Sequence, residues 1–192
     1  GIIVSFRLGG RVKLCIQTYN KFGLSFDYPE GMEVMEEGLV GFGEKASEEA
    51  GSLTMGKPGL VLEVFWTPAE DADRSYIGEL LGAYLAGRKE GHNFYLGDGI
   101  ESMQNGHKVW GTRFCIEGEE GVLLGTAGSW YCDKSKRVFI VVSNAEWEDP
   151  EFVMEFRKGE GIPKPEPEWP HLNKDPSYKA YKEVMGSFQC HS

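Results

Sequence analysis

The stretch "YNKFGLSFDYPEGMEV", Tyr19 to Val34, sets two aromatic clusters around a glycine and then halts at Pro-Glu-Gly. After Gly23 the residues Leu24, Phe26 and Tyr28 alternate with Ser25 and Asp27. That period of two predicts a strand with one buried face. Pro29 has no N–H to give to a ladder and Gly31 accepts a positive φ, so Pro29, Glu30 and Gly31 end the strand as a turn. The following "GMEVMEEGLVGFGEK" reads as short irregular strands or a hairpin. The whole stretch holds no nucleophile, ligand set or phosphate loop, and it speaks to architecture rather than to a reaction.

The surrounding composition bounds the rest. A chain of 192 residues that is 41% hydrophobic can bury the core of one domain, which predicts a single unit over 1–192. Thirty acidic residues against 20 basic give a net charge of -10, and such a surface repels phosphate backbones and anionic lipid. Nucleic acid is therefore not an expected partner. No window of eighteen apolar residues occurs, and Arg7, Arg11 and Lys13 break the opening run, so membrane insertion is not expected either. The chain starts at Gly1 rather than Met, which fits a soluble protein in the cytoplasm or one exported after loss of a signal segment.

Farther along, "GLVLEVFWTP" from Gly59 is a nearly continuous apolar run and reads as a strand covered on both faces. A helix follows, capped by Asp71 or Asp73, with Ile77, Leu80, Leu81, Tyr84 and Leu85 at helical spacing, Arg88 and Lys89 at its end and Gly91 to stop it. Phe94 to Asn144 reads as a meander. "HKVWGTRFCIE" and "VLLGTAGSWYC" flank the turn "GEEG", and "DKSK" leads into "RVFIVVSN". These loop lengths predict that Glu117 faces Val122, Cys115 faces Leu124 and Cys132 faces Arg137. Asp149 and Pro150 would start a short helix ending at Gly159. The prolines at 163, 165, 167, 170 and 176 make 159–175 an extended surface connector. Asp175 caps a final helix with Tyr178, Tyr181, Val184 and Met185 as its stripe and Gly186 as its end, and Ser187 and Phe188 close the fold. Phe26, Trp66, Leu81, Ile140 and Phe188 are the expected core.

The segments "YNKFGLSFDYPEGM" and "YKAYKEVMGSF" resemble the two ends of the PsbP-like fold, shared by an extrinsic photosystem protein, a Ran-binding import factor and bacterial lipoproteins. Over about Tyr19 to Phe188 the element order is similar as well. Residues 1–18 would be an N-terminal extension or extra strand. The resemblance implies an α/β (α+β) fold with one mainly antiparallel sheet and helices on both faces, an α/β/α sandwich. It implies a binding protein more than a catalyst, and it carries over no functional residues. Met32 stands where many relatives have Trp, and the proline-rich connector is longer than theirs.

A search for chemistry favours a non-enzyme without a cofactor. His92, His107, His171 and His191 are scattered, and no two-residue-gap cysteine pair marks a zinc or redox site among Cys15, Cys115, Cys132 and Cys190. These cysteines read as buried free thiols. The adjacent Cys190 and His191 lie at the chain end, where fraying is expected rather than metal binding. Asp71 with Asp73, and Glu119 with Glu120, are explained as a cap and a turn. Two functions are consistent with this. One is a module that docks a protein partner through acidic and aromatic loops, with Glu33, Glu36, Glu37, Glu44 and Trp169 as candidate contacts. Its motive is the acidic segment Glu30 to Glu49, where seven glutamates stand against Lys45 alone. The other is a hydrolase or small-molecule binder with a site assembled across the sheet from His107, Arg113 and Arg137.

Overall fold

Phe22 and Gly23 both take positive φ, 56° and 65°, the backbone of a tight two-residue hairpin turn. They fold strand β1 (Gln17–Lys21) onto β2 (Leu24–Tyr28) with Tyr19 opposite Phe26, as a two-stranded sheet of its own. The structure is a computed structural model that describes residues 16–38, 45–89, 93–119, 121–148 and 174–191. Leu24 and Phe26 are buried and Tyr28 is half-buried, on the face that the alternation predicts. The expected short helix after Asp149, nearly all of the proline-rich connector, Cys15 and most of the N-terminal extension lie outside the described residues.

The main sheet holds β3 (Glu33–Gly38), β4 (Gly51–Lys57), β5 (Leu60–Pro68), β6 (Asn93–Leu96), β7 (Ile100–Gln104), β8 (His107–Gly118), β9 (Gly121–Cys132) and β10 (Arg137–Trp147). Its order is β3-β4-β5-β10-β9-β8-β6, with β7 also paired to β8, and every pair is antiparallel. The long hairpins have the predicted register. Glu117 faces Val122, Cys115 faces Leu124 and Cys132 faces Arg137, because the short loops leave no slack for another pairing. The described part of the segment from Glu33 is one short strand, β3, made irregular by a bulge between Val34 and Glu36, and it pairs along β4 rather than with itself. In β5 the structure corrects a second expectation. Leu60, Leu62, Val64 and Trp66 are buried while Val61, Glu63 and Phe65 are only half-buried, with Glu63 taken up by an ion pair to Arg88.

Helix α1 (Arg74–Ala86) is capped by the Asp73 carboxylate, which accepts from the Tyr76 N–H at 2.9 Å. It ends at Gly87 rather than at Gly91, because Gly87 to Lys89 tighten into a 3₁₀ turn and Arg88 donates back to the Tyr84 carbonyl. Helix α2 (Pro176–Ser187) starts at the predicted Asp175 cap but runs past Gly186 to Ser187. The core divides along β10. Phe139, Val141 and Ala145 pack with Ala180, Tyr181, Val184 and Met185 of α2, whereas Ile140 and Val142 pack with Leu81 and Leu85 of α1. All five expected core residues, Phe26, Trp66, Leu81, Ile140 and Phe188, are at most 4% exposed.

Gly125 of β9 lies opposite Phe114, and a Cβ there would fall inside the Phe114 ring. That ring is fully buried and stacked on Phe94 at 5.8 Å, so it has nowhere to retreat. Gly125→Ala is therefore expected to destabilise by about 1–3 kcal/mol through overpacking, read as a lower urea midpoint at unchanged slope. An unshifted midpoint would show that the Phe114 ring moves freely.

Candidate functional site

Asn105 and Gly106, at φ 48° and 78°, make the tight turn between β7 and β8 and set His107 at the first position of β8. Cys132 is the last residue of β9, next to the turn of Asp133 to Lys136. The third contributor is the tail after α2. Three ties hold it: Asn105 Nδ2, which also donates to the Met185 carbonyl in the last turn of α2, donates to the Phe188 carbonyl, Gln189 bridges Ser25 in antiparallel fashion, and Arg137 donates to the Cys190 carbonyl at 2.9 Å. The chain end therefore does not fray at Cys190, which is fully buried. Its backbone groups are spent on partners 53 to 164 positions away in sequence, a cost that fraying would have to meet.

These anchors bring four ligand-type side chains together. Sγ of Cys190 lies 3.3 Å from Nε2 of His107 and 3.6 Å from Nδ1 of His191, and Sγ of Cys132 lies 3.5 Å from the same Nδ1. All four donor atoms fall within 4.8 Å of one another. Both cysteines are buried free thiols, as is Cys115, and the two histidines are half-buried. The cluster borders a cleft of about 670 Å³ between the start of α1, the β7–β8 turn and the β9–β10 turn, lined by Arg74, Ile77, Trp110, Tyr131 and Lys134 among others.

The electrostatics of the two thiols differ. Burial raises Cys132, but hydrogen bonds from the Cys190 thiol, the Ser135 hydroxyl and the N–H groups of Ser135 and Lys134 outweigh it and hold Cys132 below the usual thiol range. Burial and the neighbouring Cys132 push Cys190 up to about 12, partly offset by the Trp130 indole and Arg137. Burial also lowers His107; its hydrogen bond to the Asn105 backbone works against this, and His191 and Lys134 add to it. His107 is thus favoured neutral, with a lone pair to offer.

Arg113 and Arg137 do not join His107 in a site. Arg113 is buried in an ion pair with Asp175, at the start of α2. Arg137 donates to four backbone carbonyls, those of Phe22, Gly23, Glu48 and Cys190, and so clamps three parts of the chain together. Of the acidic and aromatic candidates, Glu33 and Glu36 are exposed on β3, which no described strand pairs on its outer side. Glu37 is engaged, accepting from Lys21 Nζ at 3.0 Å and from the Tyr19 hydroxyl at 3.1 Å. Glu44 and Trp169, like His92 and His171, lie outside the described residues. Val34 and Met35 are 44% and 68% exposed beside the glutamates.

The backbone superposes on those of solved structures. The Ran-binding protein Mog1p of Saccharomyces cerevisiae superposes with a TM-score of 0.55 at 8% identity, over 93% of this chain and 96% of that one. A point mutant of Mog1 gives 0.51 at 9% identity, over 91% and 95% of the two chains. The cyanobacterial PsbP protein of Synechocystis sp. PCC 6803 gives 0.50 at 11%, over 82% and 94%. The fold is that of Mog1 and PsbP. At these identities the Mog1/PsbP likeness concerns the backbone alone. No family model and no curated protein matches the sequence. No helix among the described residues is long and apolar enough to cross a membrane.

The sequence reading noticed the adjacent Cys190 and His191 but set them aside as a fraying end, and it missed the cluster because His107 and Cys132 join them from distant positions with no short motif. One further local signal was available. Asn-Gly at 105–106 is a strong hairpin turn, and it puts His107 at a strand start beside whatever closes that end of the sheet.

Proposed function

We propose that the protein is a docking module whose acidic edge strand β3 receives a locally basic segment of a protein partner. The observation that carries this reading is the edge itself, which sets the exposed Glu33 and Glu36 beside the exposed Val34 and Met35. A strand edge that no described strand pairs offers backbone hydrogen bonds, the two apolar side chains offer contact area, and the carboxylates favour a basic partner. The net charge of -10 adds long-range attraction of the same sign. That Mog1p is a Ran-binding protein supports the use of such a scaffold for protein docking. Glu44 and Trp169 are proposed as further contacts of the same partner, and Glu37 serves the edge by binding Tyr19 and Lys21.

The body that presents this edge is read as one domain over 1–192, with residues 1–18 as an extension and 159–175 as a connector. Its helices are placed on opposite faces of the sheet, an arrangement supported by the way successive residues of β10 alternate between the α2 and α1 clusters. The small-molecule reading around His107, Arg113 and Arg137 is weaker, because both guanidinium groups already serve buried partners.

The test is capture of partners at low salt by the wild type and by the double variant Glu33→Lys/Glu36→Lys. Glu37 is left intact because its bonds to Tyr19 and Lys21 are structural. A partner held by the wild type should be lost as salt rises and should associate at least tenfold more slowly with the double variant. Binding that ignores both salt and the reversal sinks the proposal.

A further inference from the structure

We propose that Cys132, Cys190, His107 and His191 form a structural zinc site that fastens the C-terminal tail to the ends of β8 and β9. This site is independent of the docking edge, which lies at the far end of the strand order.

The geometry carries the inference. Zinc takes thiolate sulfur at about 2.3 Å and imidazole nitrogen at about 2.0–2.1 Å in a tetrahedron, which separates neighbouring S and N donors by roughly 3.5 Å. Three of the four S···N separations are 3.3, 3.5 and 3.6 Å, and all four donor atoms lie within 4.8 Å of one another. The donors therefore stand almost where the coordinated ion requires them, with little rearrangement left to make. Two sulfurs and two nitrogens also select the metal class, since an S₂N₂ tetrahedron suits Zn²⁺ and not the oxygen-seeking Mg²⁺ or Ca²⁺. Two thiolates and two neutral imidazoles cancel the dipositive charge, so the centre can sit on fully buried cysteines at small electrostatic cost.

The surroundings are those of metal ligands. Ser135 Oγ and Trp130 Nε1 are enclosed polar groups beside Cys132 and Cys190 respectively, close enough to act on their thiols. The His107 ring is steadied by the backbone of Asn105. Such outer contacts orient ligands and tune their basicity. Because the chain itself fills all four positions, none is left for a substrate or an activated water, and the role is structural. The ion joins residues 59 and 83 positions apart, and by fixing Cys190 and His191 it holds the neighbouring Phe188 in the core.

The test uses the full chain, reduced, stripped with a chelator and titrated with Co²⁺ and then Zn²⁺. One equivalent of Co²⁺ should give the strong visible bands of a tetrahedral ion together with thiolate charge-transfer absorption, and one equivalent of Zn²⁺ should displace it and raise the melting temperature. Cys190→Ser and His107→Gln should each weaken binding by more than the roughly 10–100-fold that loss of an outer-shell partner costs. Each variant is checked by circular dichroism, and if one does not fold, the wild-type spectrum and stoichiometry still decide. A reduced wild type that binds no ion, a weak six-coordinate spectrum without thiolate bands, or full affinity retained in both folded variants would overturn the site.

Discussion

Phe188→Ala is expected to lower the free energy of unfolding by about 3–5 kcal/mol. Phe188 is 4% exposed and touches three aromatic rings at once. It stacks on Phe26 with centroids 5.4 Å apart and planes at 4°, and it meets Trp130 edge-on at 4.9 Å and Phe139 at 5.4 Å. Phe26 comes from the hairpin, Trp130 and Phe139 from the main sheet, so this one ring joins the two sheets to the end of α2. Its removal leaves a cavity lined by rigid aromatic groups, which collapse poorly, and the effect should fall at the upper part of the range. A urea titration is the measurement. A loss below about 1 kcal/mol would mean that the tail is not docked on the core, against the bridge between Ser25 and Gln189.

Asp175→Asn is the second large effect, with an expected loss of about 3–5 kcal/mol. The two carboxylate oxygens do separate work. Oδ1 accepts from the Ser177 N–H at 2.8 Å and from its hydroxyl at 2.7 Å, capping α2, while Oδ2 accepts from the Arg113 guanidinium. Asp175 and Arg113 are 1% and 3% exposed, and burial already pushes the Arg113 guanidinium down, with Asp175 opposing that shift. Asparagine can still cap the helix but carries no charge, so nearly the whole loss reports an enclosed cation deprived of the Asp175 charge. Asp175→Ala should cost about 1 kcal/mol more, the worth of the cap. Denaturation of both variants separates the terms, and equal values for the two would show that the cap contributes nothing. A loss near zero for the asparagine variant would mean that Arg113 reaches solvent.

Local chemistry explains why much of the fold was legible. Alternation exposed the buried face of β2, loop length fixed the register of β8, β9 and β10, and Asp73 and Asp175 announced two helix starts. Helix ends were read less well, at Gly91 and at Gly186, because a glycine permits a stop without imposing one and the neighbouring turns settle it. β5 was misread for a related reason. A solid apolar run looks the same whether one face or two are covered, and only Glu63, paired with Arg88, marks the side that is half open.

The candidate sites divide in the same way. An acidic segment is visible in composition, so Glu33 and Glu36 could be named from the sequence, whereas the engagement of Glu37 with Tyr19 and Lys21 needed the hairpin to be laid over β3. Of the gathering of His107, Cys132, Cys190 and His191, only the adjacency of Cys190 and His191 shows in the sequence. The sequence by itself determined the periodicities, caps and short turns, because those depend on neighbours within a few residues. Tertiary structure alone decided that the chain end is held rather than frayed, that Arg113 and Arg137 are internal clamps, and that two thiols and two imidazoles meet. Each of these depends on which strand ends and tail the sheet order brings to one place, and that order is set by the burial of the whole core rather than by any local signal.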